Sequence, residues 1–66
     1  MQVIVNGTPQ PLTDGLTVAA LLERMSLAGK RVAVERNGEI VPKSLHASVP
    51  IADGDRLEIV VAVGGG

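Results

Sequence analysis

Two Asn-Gly dipeptides, at positions 6–7 and 37–38, constrain the fold of this chain more than any other feature of its sequence. A two-residue hairpin turn needs positive φ angles at both positions, and asparagine followed by glycine adopts them readily. Asn37-Gly38 is the stronger signal, because alternating residues precede it and residues 39–41 lead the chain back until Pro42. The sequence therefore predicts one turn near the start of the chain and a hairpin past its middle.

Alternation of apolar and polar residues predicts the strands. Residues 2–6 alternate, with Val3 and Val5 on one side, and residues 31–35 alternate before the second dipeptide. Residues 8–13 form a short strand that two prolines confine to a sheet edge, because proline donates no ladder hydrogen bond. Residues 56–63 form the last strand. Its inward side chains are predicted to be Leu57, Ile59, Val61 and Val63.

One helix is predicted between the two turns. Thr17 is a suitable N-cap, and apolar side chains follow at the i, i+3, i+4 and i+7 spacing of one helical face. Gly29 is expected to end the helix or the short extension after it. Residues 43–50 are expected to form a loop with one helical turn. The apolar face, expected to pack in the core, consists of Val18, Leu21, Leu22 and Met25.

The order of these elements predicts an α+β fold. One helix packed on one mixed sheet of four to five strands buries the apolar faces of both. A right-handed crossover through the helix places the first and last strands side by side and parallel in the middle of the sheet. This is the β-grasp, or ubiquitin-like, arrangement. It predicts a single domain over residues 1–63, followed by a flexible glycine tail at residues 64–66.

Composition excludes several classes of function. The chain of 66 residues has no aromatic side chain to stack on bases or sugars, and its net charge of −1 does not fit a nucleic-acid-binding protein. The absence of cysteine excludes a thiolate nucleophile, a zinc finger and a disulfide framework. Without a phosphate-binding loop or a dinucleotide fingerprint, the chain is expected to bind no cofactor by itself.

No segment of the sequence predicts a membrane span or a signal peptide. The apolar runs are shorter than the ~20 residues that cross a bilayer. The strand pattern begins at Gln2, ahead of which there is no basic or apolar leader. We therefore expect a cytoplasmic protein that is a monomer when free.

Few polar residues are candidates for chemistry. His46 is interpreted as a surface loop residue, because the sequence offers no partners for a triad or a metal site. Asp53 and Asp55 flank a glycine and are expected to bind the backbone of a tight turn, since a calcium loop needs further oxygen ligands. Lys30 and Lys43 are interpreted as solvated charges. No metal site is predicted.

The glycines at positions 64–66 have the clearest chemical use. Lacking a Cβ, they fit a channel too narrow for other residues and would present the carboxylate of Gly66 as a reactive end. Two simpler interpretations stay open: terminal residues are often untethered, and glycines can remain from a cloning linker. A linker usually carries serine or a protease site, whereas these glycines directly follow the apolar run 59–63.

Val60 and Ala62 interrupt the polar pattern on the outward face of the last strand, after Arg56 and Glu58. A strand facing solvent is expected to continue with polar residues, so this change predicts a docking surface beside the tail. Isolated exposed apolar residues are also common on folded proteins, and that interpretation stays open.

On these features the chain resembles the bacterial sulfur carrier proteins of thiamine thiazole biosynthesis, over essentially its whole length. The most specific segments are 37–43, the turn at 53–56, the strand at 57–63 and the terminal glycines; the turn at 6–7 and the helix start at 17–22 also fit. His46 stands where the family often has tryptophan, which leaves the packing of that loop open. Three terminal glycines replace the more usual two.

The resemblance implies a protein substrate, not an enzyme. A partner adenylyltransferase of the ubiquitin-activating type would use ATP to adenylate Gly66, and sulfur from a cysteine-desulfurase relay would displace AMP. The resulting thiocarboxylate would donate sulfur to thiazole synthase for the thiazole ring of thiamine. In this mechanism Gly64 and Gly65 thread the partner's active site. From the strand pattern we hypothesise that Val60 and Ala62 contact the partner.

Two alternative functions remain at this point. Related β-grasp carriers serve molybdopterin synthesis, tRNA thiolation or protein conjugation with the same tail chemistry, and a co-purifying partner would separate them. A non-covalent β-grasp binding domain would leave the glycines idle. Intact-mass analysis distinguishes the second alternative, because only a carrier exchanges a terminal oxygen for sulfur.

Overall fold

The computed structural model describes residues 1–62 as one sheet, one helix and one short 3-10 turn. Val63 and the glycines at 64–66 lie outside the described residues, so the predicted end of the last strand and the tail do as well. The elements are β1 (Gln2–Val5), β2 (Thr8–Pro11), α1 (Val18–Arg24), β3 (Val32–Arg36), β4 (Glu39–Ile40), the 3-10 turn Lys43–Leu45 and β5 (Arg56–Val61).

The five strands are ordered β2-β1-β5-β3-β4. β1 and β5 pair in parallel in the middle of the sheet, with Ile4 opposite Arg56 and Val5 opposite Leu57. β1 with β2, β3 with β5, and β3 with β4 pair antiparallel. The predicted α+β, β-grasp arrangement is confirmed, including the edge position of the proline-containing β2.

Both Asn-Gly dipeptides form two-residue turns. The strand registers leave each dipeptide between paired residues, one joining β1 to β2 and the other joining β3 to β4. The φ angles are 50° at Asn6, 82° at Gly7, 52° at Asn37 and 87° at Gly38. These positive angles are those of a type I′ turn, whose twist matches that of the flanking strands.

The N-terminus of α1 is capped by its own threonine and by the loop that follows β4. Thr17 Oγ1 accepts a hydrogen bond from the Ala20 N–H at 3.1 Å, as the sequence predicts. The carbonyls of Val49 and His46 accept from the first two helical N–H groups at 3.0 and 2.8 Å. The loop at 43–50 therefore satisfies donors that would otherwise be unpaired at a helix start.

α1 ends at Arg24 with Met25 as its C-cap, Ser26 is the left-handed residue that follows, and Gly29 turns the chain three residues later. Ser26 has a φ of 61° and its N–H donates to the Glu23 carbonyl, while the Leu27 N–H donates to the Leu22 carbonyl at 2.8 Å. This pair of bonds is a Schellman motif, in which glycine is the usual left-handed residue. Because a serine occupies that position, the sequence pattern predicted Gly29, the next glycine, as the residue that ends the helix or its extension.

The core lies between α1 and the inner face of the sheet. The predicted helical stripe faces it, and the partly buried Met25 packs at its margin. Val61, predicted to point inward, is 37 % exposed because it occupies the last position of the β3–β5 ladder, opposite Val32. The buried apolar side chains are Val3, Val5, Val18, Leu21, Leu22, Val34, Val41, Ile51, Leu57 and Ile59.

Within residues 1–62, no helix has the length and apolar character that crossing a membrane requires.

Candidate functional site

The end of β5 exposes apolar side chains on the sheet face opposite α1. Val60 is 62 % exposed and lies in register with the exposed Ala33 of β3. Ala62 is also exposed, and its N–H donates to the Arg31 carbonyl at 2.9 Å. This bond holds the last described residue beside the segment that enters β3. The described end of the chain is therefore held to the sheet next to Val60.

Two carboxylates adjoin this apolar surface. Glu35 and Glu58 are both exposed and lie directly opposite one another on β3 and β5. Ile40, paired with Glu35 from β4, is 64 % exposed on the same face. We define the outward patch as Ala33, Glu35, Ile40, Glu58 and Val60.

The outward patch rests on a strand that two turn asparagines hold in place. Asn6 Oδ1 accepts from the Ile59 N–H at 2.7 Å, and Asn6 Nδ2 donates to the Ile59 carbonyl at 3.1 Å. Asn37 Oδ1 accepts from the Arg56 N–H at 2.9 Å while Asn37 Nδ2 donates to Asp55 Oδ1 at 3.1 Å, and the backbone N–H of Asn37 donates to the Arg56 carbonyl. The choice of asparagine over aspartate in both turns is the sequence signal for these contacts, because only an amide supplies a donor and an acceptor.

Asp55, 6 % exposed, joins the start of β5 to the β3–β4 hairpin. Its carboxylate accepts from Arg36 Nε at 2.6 Å, from the Ala52 N–H at 2.8 Å and from Asn37 Nδ2 at 3.1 Å. Burial alone would raise the pKa of Asp55, but these hydrogen bonds and the Arg36 charge outweigh it and lower the pKa below its ordinary value.

The turn at 53–55 has the structural role that the sequence predicts. Asp53 Oδ1 accepts from the Gln2 N–H at 2.7 Å and so ties the turn to the first strand. Within residues 1–62, no group of three or more histidine, aspartate or glutamate side chains is placed to hold a metal ion.

The interpretation of His46 as a surface residue is wrong. The residue is 7 % exposed, and its Nε2 lies 3.1 Å from the Val41 carbonyl. The 3-10 turn before it directs the ring inward, where it pairs a buried carbonyl. Lys30 and Lys43 are exposed as interpreted, and they line a groove of about 480 Å³ beside α1.

The predicted tail residues Gly64, Gly65 and Gly66 lie outside the described residues. The structure brings Val60 to an exposed surface at the strand end, with Ala62 exposed just beyond it. Sequence reasoning placed both residues on the exposed face, and their role in binding a partner stays a prediction. It did not bring Glu35 and Glu58 together, because their proximity follows from the register of β3 and β5.

The fold and the exposed strand end define a small ubiquitin-like domain with a β-grasp sheet. The sequence model of the ThiS family matches residues 3–66, and the chain belongs to that family.

Several proteins with related sequences or structures are known. A thiazole synthase of Paramagnetospirillum magneticum is 48 % identical over 66 residues, covering 100 % of this chain and 20 % of that protein. The sulfur carrier protein ThiS of Bacillus subtilis is 46 % identical over 53 residues, 80 % of each chain. A crystal structure of the thiamine biosynthesis protein ThiS from Geobacter metallireducens has a TM-score of 0.85 and 33 % identity and covers 100 % of both chains. This chain spans about one fifth of the length of the thiazole synthases that it matches.

Proposed function

We propose that this chain is a sulfur carrier for thiamine biosynthesis, a protein substrate whose Gly66 carboxyl is adenylated and then converted to a thiocarboxylate. The observation that carries the proposal is the family match, which runs through the terminal glycines to residue 66. The similarity to a sulfur carrier protein of Bacillus subtilis supports it.

The reaction needs a partner because the Gly66 carboxylate is unreactive by itself. An α-carboxyl has a reference pKa of about 3.5, so it is ionised at neutral pH and is a poor electrophile. Attack of a carboxylate oxygen on the α-phosphorus of ATP releases pyrophosphate and makes AMP the leaving group. The outer sulfur of the persulfide on a cysteine-desulfurase relay then attacks the acyl carbon and displaces AMP, which gives an acyl disulfide. A thiol, such as that of the cysteine supplied as sulfur donor, cleaves this disulfide to the thiocarboxylate and is itself oxidised to a disulfide. ATP and both transfer steps belong to the partner enzymes.

The folded domain compensates for the cost of ordering the tail. Immobilising three residues costs on the order of 3–6 kcal/mol of backbone entropy, equivalent to roughly two to four decades of affinity. Val60 and Ala62 are exposed next to the tail and supply the apolar contact that offsets this cost. Gly64 and Gly65 enter the partner's active site because a Cβ would obstruct a narrow channel.

Thiazole synthase is the proposed acceptor of the sulfur. Two proteins of that name contain a region similar to this entire chain within about one fifth of their length. Joining a carrier region to its acceptor raises the effective concentration of one for the other. The presence of such a region in these two proteins supports a carrier that docks on thiazole synthase where carrier and synthase are separate chains.

Intact-mass analysis tests the proposed function. The protein is incubated with the adenylyltransferase of the same organism, ATP, a cysteine desulfurase and cysteine. We expect a mass increase that corresponds to one terminal oxygen replaced by sulfur. A variant extended by one serine after Gly66 should stay unmodified, since its carboxyl no longer belongs to Gly66. Gly65→Val should also stay unmodified because its branched side chain blocks the channel. Sulfur incorporation into the extended variant would contradict the proposal.

A further inference from the structure

A groove of about 480 Å³ lies on the helix side of the sheet, bounded by α1, the 3-10 turn and the segment that enters β3. β4 ends at Ile40, and the chain leaves the edge of β3 after Val41. It then reaches the start of α1, where the His46 carbonyl accepts from the Ala19 N–H at 2.8 Å. The groove, which we call the edge groove, therefore occupies the space into which a longer β4 would extend.

The edge of β3 in this groove has backbone groups without a strand partner. Consecutive residues of an antiparallel strand direct their N–H and C=O groups to opposite sides. The Arg31 carbonyl accepts from the Ala62 N–H, so the odd-numbered residues of this segment bond toward β5. The even-numbered residues face the other way, where the Val34 carbonyl accepts from the Val41 N–H at 2.8 Å. Val32 lies beyond this contact and lines the groove, and within residues 1–62 no strand is paired with that side of it.

The edge groove concentrates the positive charge of an acidic protein. Three of the six lysines and arginines of the chain line it, namely Lys30, Arg31 and Lys43, but only one of the seven acidic residues, Glu23, does so. All three cationic residues are exposed, and none belongs to an ion pair within residues 1–62. The groove therefore favours an anionic occupant, although the net charge of the chain is −1.

Small and apolar side chains form the walls between these cations. Ala20 and the partly buried Leu27 and Val32 line the groove and belong to α1 and the segment after it or to β3. Apolar walls with a few polar groups at fixed positions are typical of a binding site. The occupant is therefore expected to present apolar side chains as well as negative charge.

An inorganic phosphate or another small anion would gain little from the start of α1. The first two N–H groups of the helix donate to carbonyls of the loop at 43–50, and the third donates to Thr17 Oγ1 at 3.1 Å. These donors are already satisfied, so the anion site that a helix start often provides is closed here. A small anion would also leave the backbone of Val32 without a partner.

Two larger occupants fit no better. A nucleic acid would meet a protein of net charge −1 that has no aromatic side chain for stacking. A second copy paired edge to edge through a two-fold axis would bring the same three cations against themselves. An extended peptide with acidic side chains complements the charge, and its backbone pairs with the free strand edge.

We propose that the edge groove binds an extended acidic segment of a partner protein, which adds to β3 as a strand beside Val32. Backbone groups of the segment bond to the Val32 N–H and C=O, and its carboxylates pair with Lys30, Arg31 and Lys43. Because alternate side chains of a strand point to opposite faces, apolar residues of the segment enter the groove and pack on Leu27. This site lies on the helix side of the sheet, so it goes beyond the proposed function, which uses the tail and the exposed Val60.

Titration of the ¹⁵N-labelled full chain with the blocked peptide acetyl-EVEVEVE-amide tests the proposal. We expect saturable changes in the amide signals of residues 29–32 and 43–47. Exchange of the Val32 N–H with deuterium should slow about tenfold at a peptide concentration ten times Kd, because exchange then requires the peptide to leave. The peptide acetyl-KVKVKVK-amide is the control for charge and should not bind. Changes that fail to saturate, or equal binding of the basic peptide, would overturn the proposal.

Charge variants locate the binding site in the groove. The double variant Lys30→Gln with Lys43→Gln should bind the acidic peptide about threefold or more weakly, since it loses two ion pairs. Its control is Arg24→Gln with Arg56→Gln, which removes two charges from exposed positions outside the groove and should leave Kd unchanged. Both variants alter exposed side chains, and equal Tm values would show that the fold is kept. Equal weakening by both would indicate a general effect of net charge and would overturn the proposed site.

Two further probes distinguish strand addition from simple attraction of anions. An acidic peptide that is N-methylated at every residue cannot donate to the Val32 carbonyl and should cause no saturable change. Inorganic phosphate at the same concentration should leave the Val32 N–H exchange rate unchanged. Binding of the methylated peptide with the same Kd, or the same protection by phosphate, would overturn strand addition. The titration contains no ATP and no sulfur donor, so its outcome is independent of whether Gly66 is converted to a thiocarboxylate.

Discussion

Asn6 and Ile59 are joined through both ends of one side-chain amide, although 53 positions separate them. Asn6 occupies the left-handed conformation that the first turn requires. Its amide also continues the β1–β5 pairing beyond the last ladder pair, Val5 and Leu57. One residue therefore shapes the first hairpin and holds the strand that carries Val60.

Substitutions at Asn6 should separate these two contributions. Asn6→Gly keeps the positive φ and removes both hydrogen bonds, so we expect the free energy of unfolding to fall by about 1–3 kcal/mol. We expect Asn6→Ala to lower the free energy of unfolding by about 1 kcal/mol more than Asn6→Gly does, because a residue with a Cβ is strained in the left-handed conformation. Urea denaturation of both variants measures the difference. Equal stability of Asn6→Gly and the unmodified protein would show that the amide contacts contribute nothing.

Asp55 should make stability depend on pH in the acid range. Because its pKa is lowered in the folded state, the unfolded chain binds more protons as the pH falls through the ordinary aspartate value of about 3.9. The stabilisation is therefore present above about pH 4 to 5 and is lost as the pH falls through the lowered folded value.

Asp55→Asn tests this linkage. At pH 7 we expect a free energy of unfolding about 1–3 kcal/mol below that of the unmodified protein, because Arg36 loses its charged partner. The difference should shrink as the pH approaches 3. Thermal unfolding followed by circular dichroism between pH 3 and 7 measures it, with Glu23→Gln at an exposed position on α1 as the control. A difference independent of pH would contradict the role assigned to the carboxylate.

His46→Ala should destabilise the fold through the buried carbonyl of Val41. The substitution removes the Nε2 partner and leaves a cavity where the ring was, for an expected loss of about 2–4 kcal/mol. Ser44→Ala, on the exposed side of the same 3-10 turn, should change stability by less than about 0.5 kcal/mol. Chemical denaturation compares them, and similar effects for both would indicate that the ring does not contribute.

Ser26→Gly should stabilise the protein. Serine in the left-handed conformation costs about 1–2 kcal/mol, and the greater unfolded-state entropy of glycine offsets part of the relief. We expect a net gain of about 0.5–1 kcal/mol in the free energy of unfolding. Ser48→Gly, in the loop after the 3-10 turn, is the control, because it makes the same substitution elsewhere in the chain. A loss of stability for Ser26→Gly would mean that the serine side chain makes a favourable contribution of its own.

Val60→Asp should weaken recognition by the adenylating partner and leave the fold intact. Val60 is 62 % exposed, so the substitution removes little buried surface, yet it places a third carboxylate on the outward patch. We expect the KM of the carrier in pyrophosphate exchange to increase by about tenfold or more. Ala28→Asp introduces the same charge at an exposed position after α1 and should have little effect. Unchanged kinetics for Val60→Asp would remove Val60 from the docking surface.

Local patterns predicted most of the fold, because each rests on a constraint that acts within a few residues. The two turns follow from the φ angles that Asn-Gly accepts, and the helix follows from its cap and its apolar spacing. These elements, in this order, leave few ways to bury one helix against one sheet. The exposed Val60 was predictable for the same reason, since strand alternation places it on the face opposite Ile59.

The remaining features depend on contacts between segments that are distant in the sequence. The periodicity of a local pattern carries no information about such contacts. His46 is buried because the loop at 43–50 packs against the start of α1. The helix stops before the left-handed Ser26, and Leu27 then turns back to pack against the core. The opposition of Glu35 and Glu58 follows from strand register, which a shift of one residue would abolish. The sequence by itself determined the elements, their order and the glycine ending. Only the tertiary structure decided which side chains meet across the sheet, because burial and register are settled by long-range packing.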